Sequence, residues 1–66
     1  MEKYVVNNRQ QTNGDHEVHK EGCRYFPSDY QYLGEHYSCG TAVARARQIY
    51  PTANGCKTCS NACHTS

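Results

Sequence analysis

Apolar positions along the chain come in short bursts between polar stretches, and one burst has a clear period. Tyr4, Val5 and Val6 form a β-branched and aromatic run, followed by a polar segment from Asn7 to Asp15 that closes on Asn13-Gly14-Asp15. That pattern predicts a strand and then a turn. Glu17-Val18-His19 supplies a returning strand, so the first third reads as a hairpin with a loop longer than the two-residue kind. Pro27 places Cys23 to Ser28 in a loop or knuckle, and Tyr30, Tyr32 and Leu33 before Gly34 predict a third short strand.

The periodic burst predicts a helix from Ser38 or Cys39 to Ile49 or Tyr50, with Ser38 as N-cap and Pro51 forcing the stop. Ala42, Val43, Ala46, Ile49 and Tyr50 fall on one stripe, while Thr41, Ala44, Arg45 and Gln48 face away. Arg45 and Arg47 sit toward the carbonyl end, where positive charge is favourable. The small alanines let this face lie close against a sheet. Asn54-Gly55 predicts a turn, and Cys56 to Ser66 is polar, Cys-rich and without period. The expected architecture is a single α+β domain over 1–66, a small antiparallel sheet of about three short strands with one packed helix. Its core spans about 4–59, with a cysteine-containing tail at 60–66.

Composition sharpens this picture. The apolar class makes up 36% of 66 residues, but much of it is Cys, Ala and Tyr; Val, Ile, Leu and Phe together number seven. Seven of 66 is about 11%, below the ~20% under which a chain tends to stay disordered. Apolar burial alone will not offset the conformational entropy lost on folding. A transmembrane span and a large enclosed pocket are excluded on the same grounds. Five Cys and four His then become the likeliest source of the missing stability. No apolar segment follows Met1, so a secretory signal is not expected. The expectation is a cytoplasmic, reducing compartment, where clustered cysteines bind metal more often than they form disulfides. The net charge of +1 favours no acidic partner in particular.

Two spacings carry chemistry: His19-x-x-x-Cys23, within HKEGC, and Cys56-x-x-Cys59, within GCKTC. Both thiols of a Cys-x-x-Cys turn can reach one ion, and a second pair from a distant hairpin closes the tetrahedron that zinc prefers. His19, Cys23, Cys56 and Cys59 are therefore the candidate ligands of one structural zinc. Four protein ligands close the site, and such a site supplies on the order of 10 kcal/mol to folding. A disulfide scaffold and a redox dithiol at Cys56-x-x-Cys59 are the alternatives, although the pair follows a helix instead of opening one.

Cys39, Cys63 and His64 remain as alternates. Cys63-His64 continues the Cys59 loop and could substitute in the ligand shell. Cys39, where the helix begins, is either a packed small residue, a reactive thiol, or the partner of Cys63 in a disulfide if the protein meets oxidant. His16 stands three residues from His19, and on a strand such a pair points to opposite faces, so His16 is assigned to the surface. His36 has no partner spacing and is expected to be solvated. Tyr4, Tyr25, Phe26, Tyr30, Tyr32, Tyr37 and Tyr50 are expected to supply most of the core in place of aliphatic residues.

In this order, the strand and turn, Val18-His19-x-x-x-Cys23, Tyr32-Leu33-Gly34, the helix with Ala42 and Ala46, and Gly55-Cys56-x-x-Cys59 resemble the Ada-type metal-binding domain over about residues 4–59. That family is a small zinc module found in the Ada DNA-repair protein and attached to some secreted nucleases. The resemblance implies one zinc held by His19, Cys23, Cys56 and Cys59. In the Ada protein the first ligand is a Cys that accepts a methyl group from a DNA phosphotriester; His19 at this position resembles the nuclease-linked variants, so methyl transfer is not implied. The tail with Cys63-His64, and Cys39, are not part of the family pattern. The layout is also similar to small bacterial proteins for which no activity is implied.

The expected function is a binding or accessory module, monomeric and without membrane attachment, held by structural zinc and serving a protein or single-stranded nucleic-acid partner. No catalytic constellation stands beside the ligands. The alternatives are weak single-stranded nucleic-acid binding through Tyr25, Tyr30, Tyr32, Arg24, Arg45 and Arg47, or a thiol-redox or metal-sensing role for Cys39 and Cys63.

Overall fold

The computed structural model describes residues 1–65, so Ser66 of the predicted tail lies outside the described residues. Strands β1 (Glu2–Asn7), β2 (His16–Lys20) and β3 (Tyr30–His36) precede helix α1 (Cys39–Arg47), strand β4 (Ala53–Gly55) and a 3-10 turn at Asn61–Cys63. They form a small α+β fold, one helix on a four-stranded mixed sheet of order β3-β1-β2-β4. The predicted hairpin is the antiparallel β1–β2 pair, in register Tyr4↔Lys20, Val5↔His19 and Val6↔Val18.

Alternation sorts β1 and β2 between two faces. Tyr4, Val6 and Val18 turn toward α1 and join Leu33, Cys39, Ala42, Val43, Ala46 and Ala53 in one core, with Ile49, Tyr50 and Cys63 packed at its rim. Val5 and His19 face the other way and are also buried, at 4% and 1% exposed. A bulge between β1 and β3 steps the register from Tyr4↔Gly34 to Val5↔Tyr32. Leu33 is the extra residue and turns into the core. The helix buries the predicted stripe, with Ala42 and Ala46 fully enclosed.

Several expectations are corrected. The sheet has a fourth strand, because Asn54-Gly55 pairs in parallel with β2 as Glu17↔Asn54 and Val18↔Gly55 instead of making a free turn. The turn-forming capacity of Asn54 is spent on tertiary partners. Its side-chain oxygen accepts from the backbone N–H groups of Gly55 and Thr65, and its amide donates to Asp15. The helix ends at Arg47, short of Ile49 and Tyr50, whose amides nonetheless still donate to the Ala46 carbonyl in the turn that precedes Pro51. Ser38 occupies the N-cap position without a side-chain capping bond.

The tyrosines do not form the core. Only Tyr4 is buried, whereas Tyr25, Tyr30, Tyr32 and Tyr37 are exposed, as is Phe26, which meets Tyr30 edge to face. His16 is buried rather than at the surface: its ring stacks on Tyr50 at 3.7 Å, and Nδ1–H donates to the Asn7 carbonyl. His36 is not freely solvated, since Nε2 bonds the Leu33 carbonyl and Nδ1 pairs with the Thr41 hydroxyl.

Gly55 is required for a close approach. A Cβ there would stand 2.7 Å from the Ser60 carbonyl oxygen and 2.9 Å from both the carbonyl carbon and Cβ of Cys63. The Cys56–Cys63 segment folds directly over it. Gly55→Ala is therefore expected to destabilise the fold by about 1–3 kcal/mol, the usual cost of overpacking against backbone, read as a lower urea midpoint; an unchanged midpoint would show that the segment is not packed there.

Candidate metal centre

His19 is carried by β2 on the sheet face away from α1, opposite Val5. Just beyond the strand the chain turns back, with the Cys23 amide donating to the Lys20 carbonyl at 3.0 Å. Gly22 supplies the left-handed conformation of this turn (φ +92°), which brings Cys23 over His19. The second pair arrives from the other end of the chain. The Cys56 amide continues the β4 ladder by donating to the Val18 carbonyl, and the Ser60 amide closes the Cys56–Cys59 turn onto the Cys56 carbonyl at 2.8 Å.

One ligand atom from each of His19, Cys23, Cys56 and Cys59 lies within 4.8 Å of every other, and the group could hold a metal ion. The Cys23 and Cys56 sulfurs are 3.9 Å apart, as are the Cys59 sulfur and His19 Nδ1. A tetrahedron with bonds of about 2.3 Å has edges of about 3.8 Å; two of the six spacings lie close to that length and the others are no longer than 4.8 Å. His19 and Cys56 are buried, and Cys23 and Cys59 are half-buried.

His19 Nε2 lies 3.4 Å from a carboxylate oxygen of Glu17, on the side of the ring away from Cys59. Burial lowers the His19 pKa, with the Glu17 charge opposing, so the ring is held neutral. With its proton on Nε2 toward Glu17, Nδ1 keeps a lone pair facing the sulfurs, the carboxylate–histidine–metal arrangement that fixes ligand orientation. The Cys59 sulfur accepts the Lys20 amide at 3.3 Å. Without metal, burial and the neighbouring Cys23 thiol push the Cys59 pKa up to about 12. The metal-free cluster therefore does not keep a free thiolate at Cys59.

The alternates lie elsewhere. Cys39 and Cys63 form a disulfide, one of the outcomes left open for them. His64 Nδ1–H donates to the Gly55 carbonyl, pinning the tail to β4. Arg45 and Arg47 lie on α1, bonded to Gln48 and to the Ala53 carbonyl, across the sheet from Tyr32. They do not interleave with the exposed tyrosines. A cavity of about 210 Å³ opens beside the cluster between Glu17, Tyr25, Cys56 and Lys57. Glu17 and the Cys39–Cys63 pairing were the features least visible in spacing; the alternation Glu17-x-His19 is the only sequence signal that points to the former. No described helix is long and apolar enough to cross a membrane. No family model, curated protein or solved structure matches the chain.

Two outcomes follow. Glu17→Gln should weaken metal binding about 10-fold or more, as losses of such partners do, measured by chelator competition; undiminished affinity would remove Glu17 from the site. Metal binding should also release protons, the Cys59 thiol giving up one because its pKa stands at about 12 without metal, in a dye-monitored titration at neutral pH, so affinity should fall as pH is lowered; binding without proton release would overturn the role of Cys59 as a ligand.

Proposed function

We propose that the protein is a small module folded around one structural zinc ion held by His19, Cys23, Cys56 and Cys59, and that it acts as a binding or accessory unit. The observation that carries this is the convergence of four ligand atoms, from two segments far apart in the chain, within 4.8 Å of one another, two of the spacings being close to a tetrahedral edge. Three sulfurs and one imidazole nitrogen are a donor set suited to zinc. Four protein ligands leave no open coordination position, which favours a structural over a catalytic ion. The ion joins β2 to the segment after β4, adding to the hydrogen bonds between Cys56 and Val18 and between Lys20 and Cys59.

The resemblance to the Ada-type domain points the same way, with His19 in place of the methyl-accepting cysteine. Methyl-transfer repair is accordingly not part of the proposal.

The test is native mass spectrometry of protein purified without chelator, paired with circular dichroism before and after metal removal by a strong chelator. The disulfide is left intact. One bound zinc, and loss of cooperative folding on its removal, are the expected results, matching the on-the-order-of-10 kcal/mol that such sites contribute. Retention of full structure and an unchanged thermal midpoint after removal would defeat the proposal.

A further inference from the structure

We propose that the Cys39–Cys63 disulfide is an exchange site for dithiol reductants, and that its oxidation state sets the affinity of the neighbouring metal centre. The inference rests on the metal-binding reading and adds a second site to it. Cys56 and Cys59 belong to the ligand cluster, while Cys63, only four residues beyond Cys59, is bonded to Cys39 on α1. The segment between is rigidly built. The Ser60 amide donates to the Cys56 carbonyl at 2.8 Å, the Cys63 amide donates to the Ser60 carbonyl at 2.9 Å, Ser60 is buried, and Gly55 lies in contact beneath.

Cys39 is the first residue of α1, and that helix is fixed to the sheet by Ala42, Val43 and Ala46. The disulfide thus ties the Cys56–Cys63 segment to the core on the helix side. A metal ion would tie the same segment to β2 on the opposite face. Each closure removes conformational freedom that the other would otherwise have to remove. When the disulfide is open, the segment keeps its hydrogen bonds to β2 at Cys56 and Cys59 and those of His64 and Thr65 to Gly55 and Asn54, but its covalent tie to α1 is gone, and metal binding must order what that loss frees. Linkage makes the effect reciprocal, so the metal favours the disulfide by the same factor by which the disulfide favours the metal.

The exchange has a direction. Cys39 is 8% exposed and Cys63 is half-buried, so an incoming thiolate reaches Cys63 more readily. It bonds to the Cys63 sulfur, the Cys39–Cys63 bond breaks, and the electron pair leaves on the Cys39 sulfur. There the amides of the first turn of α1, which receive no side-chain cap from Ser38, favour the thiolate before it takes up a proton. The second thiol of the reductant then attacks the mixed disulfide. The reductant leaves as its own disulfide, and Cys63 is released as a thiol, with two electrons and two protons transferred in all.

The test measures zinc affinity by competition with a chromophoric chelator for three samples: oxidised protein, protein reduced by a phosphine, and a Cys39→Ser/Cys63→Ser variant. The expected result is an affinity about tenfold lower in both samples that lack the disulfide, within the usual range for coupled sites. Saturating zinc should correspondingly raise the oxidised fraction in a fixed glutathione buffer, a tenfold coupling corresponding to about 30 mV. Equal zinc affinity in oxidised and reduced protein overturns the coupling while leaving the metal centre intact. Failure of zinc to bind in either state overturns the centre as well. Should the double variant not fold, the reduced natural chain decides alone. Trapping with glutathione and peptide mapping should place the mixed disulfide on Cys63; an adduct on Cys39 would overturn the direction of exchange.

Discussion

The interior of this protein is thin, and its other features answer to that constraint. Its aliphatic content is Val6, Val18, Leu33 and Val43, supported by Tyr4 and by alanines. Ala42 and Ala46 let the helix approach the sheet closely, but each buries little area, and burial scales with area. The structure places cysteines on both sides of the sheet, the Cys39–Cys63 disulfide at the helix and, on the opposite face, the His19-Cys23-Cys56-Cys59 cluster that could hold a metal ion and so add a second cross-link. Both converge on the eight residues from Cys56 to Cys63, a stretch with no strand or long helix of its own.

That convergence explains details that would otherwise be unrelated. Gly55 admits the segment at van der Waals contact, Asn54 spends its whole amide on Asp15, Gly55 and Thr65, and His64 caps the Gly55 carbonyl. None of these groups is a metal ligand. Together they set where Cys56 and Cys59 stand before an ion is present, and preorganisation of this kind is what allows a binding site to hold its partner without ordering the chain at the same time.

The legible parts of the sequence were those governed by short-range spacing. The helix stripe, the hairpin and the two Cys/His pairs that the fold brings together each lie within a window of a few residues, where periodicity or turn geometry acts directly. The parts that were not legible depend on pairing across the chain. β4 is only three residues long and becomes a strand because β2 offers it a partner, so local turn chemistry at Asn54-Gly55 pointed the wrong way. The argument that His16 and His19 point to opposite faces was sound, but both faces are covered, one by Tyr50 and the other by the cysteine loops. Tyr30 and Tyr32 follow the same logic. They alternate onto the face away from the helix, where their size cannot compensate for the scarce aliphatics of the core.

The five cysteines divide by electrostatics into two kinds. Three thiolates and a neutral imidazole would carry one net negative charge around a divalent cation, and the Lys20 amide that donates to the Cys59 sulfur would help to hold it. With the cation removed, burial and the adjacent thiols keep Cys59 protonated well above neutral pH, so the cluster has little use as a redox dithiol in that state. Cys39 and Cys63 differ in kind: their sulfurs are already bonded to one another, with Cys39 at the N-terminus of α1, where a departing thiolate would be favoured. A chain too small to rely on its core thus keeps its Cys3His cluster and its disulfide apart, although the same segment contributes cysteines to both.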